Sequence, residues 1–190
     1  MAVDRRHRAE KEGPVFDEQK FRELILYFAQ KSADDPAFGA VKLNKLLFYA
    51  DFVSFAKRGK AITGATYFRL PHGPAPRQLL PITKKMDRRD LVTESRDHFG
   101  KTQKRPVALR DANLAVFAAH EIAIADDAIR FMRDANATEV SDWTHSFRGW
   151  KLAADLEDIA YETVFLADGD LPNELLEHAK SVVEKHNAWK

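Results

Sequence analysis

Apolar residues recur at helical spacing through most of the chain. Phe21, Leu24, Ile25 and Phe28 follow the i, i+3, i+4, i+7 pattern behind a capping Asp17, and Asp34-Asp35-Pro36 with Gly39 ends that element. Residues 41–58 read as a second helix, stopped by Gly59. Leu43, Leu46, Leu47, Ala50 and Val53 make one apolar side of it, and Phe48, Phe52 and Phe55 make another. A helix that is apolar on most sides belongs in an interior. Asn44 and Asp51 lie on one line of that helix, so each needs a hydrogen-bond partner if the line is buried.

Residues 59–76 are dense in Gly and Pro and read as a structured loop, with one short strand near Thr66–Leu70. A helix follows, up to about Asp90. Leu91–Glu94 and Pro106–Leu109 suggest a small hairpin around a basic loop. Leu114, Ala118, Ile122, Ala125, Ile129 and Met132 predict a long helix capped by Asp111, and a shorter helix starts at Thr138. Trp143, Phe147 and Trp150 crowd the next stretch. Tyr161–Leu166 has strand composition, Asp168-Gly169-Asp170 turns, and Pro172 opens a last helix carrying Leu175, Leu176, Ala179, Val182 and Val183. The sum is an α+β class, a predominantly helical single domain with a small antiparallel hairpin or sheet. Residues 1–14 read as a flexible charged arm and 15–158 as the domain. Residues 159–190 read as a C-terminal strand and helix packed on that domain.

The 190 residues suffice for a full core, and cysteine is absent, which removes disulfides, thiolate metal sites and a thiol nucleophile together. No apolar run spans a bilayer and residues 1–13 do not read as a signal peptide, so the expectation is a cytoplasmic protein with no membrane partner. The net charge of +1 hides a split: residues 1–110 carry 23 Lys and Arg against 13 Asp and Glu, residues 111–190 carry 7 against 16. The acidic half argues against a generic nucleic-acid binder.

Side-chain chemistry offers few signatures. His120-Glu121 does not continue into the H-E-x-x-H pair, and no other histidine has a second one three or four residues away, so no metal or cofactor is expected. Gly59-Lys60 and Gly64 lack the Lys-Ser/Thr order of a phosphate loop. Ser141 and His145 share a helical turn, but no strained elbow surrounds the serine and no third partner is evident. Asp51 with Lys42 or Lys45 reads as a structural ion pair before it reads as an acid–base pair.

One block is more specific. Lys42-Leu43-Asn44-Lys45-Leu46-Leu47-Phe48-Tyr49-Ala50-Asp51 resembles the opening helix of the Panacea domain, the SocA-like antitoxin domain also found in phage-associated GepA-type proteins. Gly59, Ile62-Thr63-Gly64, Tyr67, Gly73-Pro74 and Pro76 follow in that family's order, and the stretch from Ser141 through His145 to Trp150 resembles its Ser-x-x-x-His…Trp block. The resemblance covers roughly residues 20–155. It implies a bacterial type II antitoxin, not an enzyme. Such a protein neutralises its cognate toxin by direct protein–protein binding, in some members as an adaptor that hands the toxin to an ATP-dependent protease; self-association stays open.

Carried over by position, the matching residues are Lys42, Asn44, Lys45, Tyr49, Asp51, Gly64, Tyr67, Gly73, Pro74, Ser141, His145 and Trp150. Asn44 and Asp51 are expected to tie the Gly-rich loop to the helix through its N–H groups. With the motif serving as scaffold, the basic stretch holding Arg96, Lys101, Lys104 and Arg105, together with the acidic final helix, is the expected partner surface. Two alternatives stand beside this reading. One is a nucleic-acid-associated regulator built on Arg5, Arg6, Arg8, Arg88 and Arg89. The other is an enzyme using Ser141 and His145.

Overall fold

The structure, a computed structural model, describes residues 14–98 and 100–166, excepting the side chains of His98 and Lys101. The expected arm lies almost wholly outside these residues, as do the Asp168–Asp170 turn and the final helix.

Among the described residues the chain forms six α-helices and five short strands. Helix α1 (Glu18–Lys31) starts where Asp17 accepts the Lys20 N–H at 2.9 Å. Helix α2 (Ala40–Arg58) ends at Gly59, whose φ of 71° supplies a left-handed C-cap. Its apolar sides meet protein all round: α1, α4 (Ala119–Met132), α5 (Ala137–Ser146), strand β2 (Ala75–Pro76) and the turn at 161–165 pack against it. It is the axis of the domain, and Leu43, Leu46, Leu47, Phe48, Ala50 and Phe52 are all buried on it.

Strand β1 (Tyr67–Phe68) lies between β2 and β5 (Asp158–Ile159) in an antiparallel sheet, with Tyr67 opposite both Pro76 and Ile159. Helix α3 (Leu79–Met86) stops four residues short of the expected Asp90: Asp87 leaves the helical conformation, Arg88 takes a φ of 58°, and Arg22 and Arg110 hold the Asp90 carboxylate at 2.7 and 2.6 Å, outside the helix. Helix α6 (Arg148–Leu152) carries Trp150.

Three expectations are corrected. The stretch 161–166 is not a strand. It forms a 3-10 turn over Tyr161–Phe165, and pairing with β1 falls to Asp158–Ile159 instead. The helix expected from Asp111 begins at Ala119. Glu23 captures the Asn113 N–H at 2.7 Å, and Glu121, itself paired to Lys20 at 2.7 Å, accepts the Ala118 N–H at 2.9 Å, which sets the helix start. Leu114 is therefore exposed rather than part of an inward stripe.

The third correction is the hairpin. Strands β3 (Leu91–His98) and β4 (Lys101–Ala108) pair from Leu91↔Ala108 to His98↔Lys101, so the expected basic loop is strand. Beyond Thr93 both faces are polar, which erased the alternation that signals a strand. The hairpin is fastened by Arg105, only 4% exposed. Its guanidinium donates to the carbonyls of Ser32, Ala33, Asp35 and Phe38 at 2.7–3.1 Å, closing the turn between α1 and α2. Arg105 is thus withdrawn from any partner surface. Arg105→Ala is expected to cost about 2–3 kcal/mol, since it strands buried carbonyls, and to raise amide exchange in β4. Arg105→Lys is expected to recover little, because one ammonium cannot fork to that many acceptors.

Candidate functional site

The polar positions of α2 are the place to look for chemistry, because each was put into an interior at a desolvation cost. Asp51 is 0% exposed. Its Oδ1 accepts the Thr63 N–H at 2.7 Å, and its Oδ2 accepts the hydroxyls of Thr63 at 2.5 Å and Tyr67 at 2.9 Å. The helix therefore holds the Gly-rich loop through this carboxylate. Burial pushes the Asp51 carboxyl above its usual range even though the Thr63 and Tyr67 donors pull it back. The Tyr67 phenol is driven well up, by burial and by the Asp51 charge. Thr63 also orders the loop itself, accepting the Ala65 N–H at 3.2 Å, while Tyr161 donates to the Ala65 carbonyl at 2.6 Å.

Asn44 does not share this task. Its Nδ2 donates to Ala40 O at 3.0 Å, one turn back on its own helix, and among the described residues its buried Oδ1 accepts nothing. The expected tie from Asn44 to the loop is corrected: its amide is held by its own helix, and Asp51 and Lys45 tie α2 to the loop instead.

The two lysines pair with neither Asp51 nor each other. Lys42, 1% exposed, donates to Asp35 Oδ2 at 2.6 Å and to Arg133 O at 3.1 Å, linking α2 to the turn before it and to the end of α4. Lys45, 2% exposed, donates to Pro74 O at 3.2 Å, and among the described residues no carboxylate pairs with it. Burial pulls its amine down to about 7. Gly73 lies directly against it. With φ at 96°, its Cα faces Thr144 Oγ1 and Lys45 Nζ, and a Cβ there would come within 2.6 Å of the amine. Gly64, at φ 66°, faces the Val15 carbonyl in the same close way.

Lys45 makes stability depend on pH with a definite sign. Above about pH 7 the folded amine has released a proton that the unfolded one, at about 10.4, still holds, so stability climbs with pH across that window and is flat below it. The climb amounts to about 4–5 kcal/mol. Lys45→Met is expected to flatten it and to be the more stable protein at pH 7, by about 2 kcal/mol. Urea unfolding of both proteins at pH 6, 8 and 9.5 checks this.

The late block is assembled around Trp150. His145 stacks on its ring at 4.2 Å and the Arg69 guanidinium lies over it at 4.6 Å, while its Nε1 donates to Leu70 O at 3.0 Å. Ser141 donates to Ala137 O at 2.8 Å rather than to His145, and the nearest carboxylate to His145 is Asp142 at 4.0 Å. The pair lacks the hydrogen bond that would activate the serine. Tyr49, buried on α2, stacks on Phe131 and meets Trp143. On the hairpin, Arg96 is spent on Glu94 at 2.6 Å and Lys104 on Ser95 at 2.7 Å.

Asp51, Thr63, Tyr67, Lys45, Gly73, Pro74 and Thr144 thus form one bracing system joining α2, the Gly-rich loop and α5. Thr63 is named from the sequence only within the run Ile62-Thr63-Gly64 and Thr144 not at all, because neither lies on a periodic position that marks a buried threonine. Among the described residues no three His, Asp or Glu side chains are grouped to hold a metal ion, and no helix is long and apolar enough to cross a membrane.

The family described as antitoxin SocA-like, Panacea domain, matches residues 43–151, a span that runs from α2 through α6 and contains this whole bracing system. No curated protein and no solved structure matches the chain.

Proposed function

This chain belongs to the SocA-like Panacea antitoxin family, and on that premise we propose that it is the antitoxin of a type II pair, neutralising a cognate protein toxin by direct binding. The observation that carries the reading is how the family-matching polar groups are used. Asp51, Lys42, Lys45 and Tyr67 are buried and committed to the chain's own backbone and side chains. Groups committed in this way maintain a shape, and the work is left to the exterior. Ser141 donates to a backbone carbonyl and His145, its Nε2 buried and unpartnered among the described residues, stacks on Trp150; with no hydrogen bond between the two, the pair favours the same division of labour over an enzyme.

Expression of the protein encoded beside this gene is expected to arrest growth. Co-expression of this chain restores it, and the two co-elute as a complex on gel filtration. Arrest that persists despite a soluble antitoxin defeats the reading. The lifetime of the neighbouring protein separates two modes of neutralisation. Blocking leaves it long-lived in complex, whereas delivery to an ATP-dependent protease shortens its life in protease-proficient cells only.

A further inference from the structure

One exposed patch is built differently from the rest of the surface. Phe131 near the end of α4 is 48% exposed, yet its ring is held at 5.4 Å against Tyr49 and at 5.2 Å against Trp143 of α5. Trp143 continues inward to Phe48, at 6.3 Å, and Phe48 reaches Tyr67 at 5.7 Å. The patch is therefore the outer end of an aromatic stack rooted in the core, and its side chains have little freedom left to lose on binding. Large rings fixed in this way are the residue types that anchor protein interfaces.

The rim is acidic. Asp127 lies one turn before Phe131 on α4, Asp134 follows in the turn after that helix, Glu139, whose carboxylate also accepts the Asn136 N–H, precedes Trp143 by one turn, and Asp142 adjoins it. The local cations are engaged: Arg130 pairs with Asp127 and Arg133 with Asp34. Among the described residues Asp134 has no cationic partner and Asp142 faces only His145 at 4.0 Å. We propose that Phe131 and the half-buried Trp143, backed by the buried Tyr49, are the docking surface for a basic, amphipathic segment of the partner protein, which seats an apolar side chain on the two rings and its Lys or Arg residues on the acidic rim. This rests on the antitoxin reading and deepens it.

Charge decides against three other occupants. The chain's own residues 167–190 carry five Asp and Glu against three Lys, and a second copy would set one acidic rim on another. A nucleic acid is repelled by the same rim.

The test uses the full chain with two variants, Phe131→Ala and the double reversal Asp134→Lys with Asp142→Lys, each checked for an unchanged circular dichroism melt. The first probe is a labelled helical peptide of leucine and lysine, compared with its leucine–glutamate counterpart. Wild type is expected to prefer the basic peptide by at least about tenfold, a preference weakened by salt, lost in Phe131→Ala and inverted in the double reversal. The second probe is the neighbour-encoded protein, whose neutralisation both variants are expected to lose. Equal affinity for the two peptides overturns the surface. So does full neutralisation by both variants, and so does a wild-type dimer that Phe131→Ala converts to monomer. If wild type itself fails to neutralise the neighbour, the antitoxin reading falls, and the peptide comparison still decides the surface.

Discussion

Asp51→Ala is expected to lower the stability of this protein by about 3–5 kcal/mol, while Asp51→Asn stays within about 1 kcal/mol of wild type. The alanine variant strands the Thr63 N–H, the Thr63 hydroxyl and the Tyr67 hydroxyl inside a dry site and leaves a void there. The asparagine keeps a carbonyl for the Thr63 N–H, and its amide can donate to the two hydroxyls, which rotate to accept. pH separates the variants further. A carboxyl raised by burial binds its proton more tightly folded than unfolded, so wild type loses stability as pH rises above the unfolded value near 3.8. Asp51→Asn does not share that loss. Chemical denaturation of the three proteins from pH 4 to pH 7 tests both points; an alanine variant as stable as wild type would mean that the loop does not depend on the carboxylate.

Gly73→Ala is the second large effect, about 3–5 kcal/mol. A φ of 96° is closed to residues with a Cβ, and the added methyl would press on Thr144 Oγ1, Lys45 Nζ and, at 3.0 Å, Lys45 Cε. None of these can retreat cheaply, since Thr144 is held to Ser141 O at 2.8 Å and Lys45 to Pro74 O. Thr144→Ala added to Gly73→Ala is expected to recover about half of the loss, because it removes the closest atom and leaves the backbone strain. Additive losses in the double variant would show that the contact with Thr144 is not the source.

The legible parts of this chain are those with local causes. Asp17, the Phe21–Phe28 stripe and Gly59 are each explained by residues within one or two turns, and α1 and α2 lie where those signals put them. The apolar sides of α2 announced an interior helix, and the need of Asp51 for partners followed from that. Arg105 could not be read in this way. Its acceptors are carbonyls some seventy residues earlier, in the turn between α1 and α2, so a residue that looked like surface charge is the rivet of the hairpin. The start of α4 was equally hidden, because Glu23 and Lys20 of α1 decide it from across the fold.

Alone, the sequence determined that α2 is an apolar rod with a few polar groups, that glycines punctuate the loop beside it, and that this pattern resembles the Panacea family. These follow from periodicity, backbone freedom and residue order, which act at short range along the chain. Only the tertiary structure decided which polar group meets which: Asp51 the loop, Lys45 the Gly73-Pro74 turn, Asn44 its own helix, and Phe131 and Trp143 a shared outer face. Those choices depend on distances between segments remote in sequence, and a hydrogen bond or a ring contact exists only where folding has brought its two halves within a few ångströms.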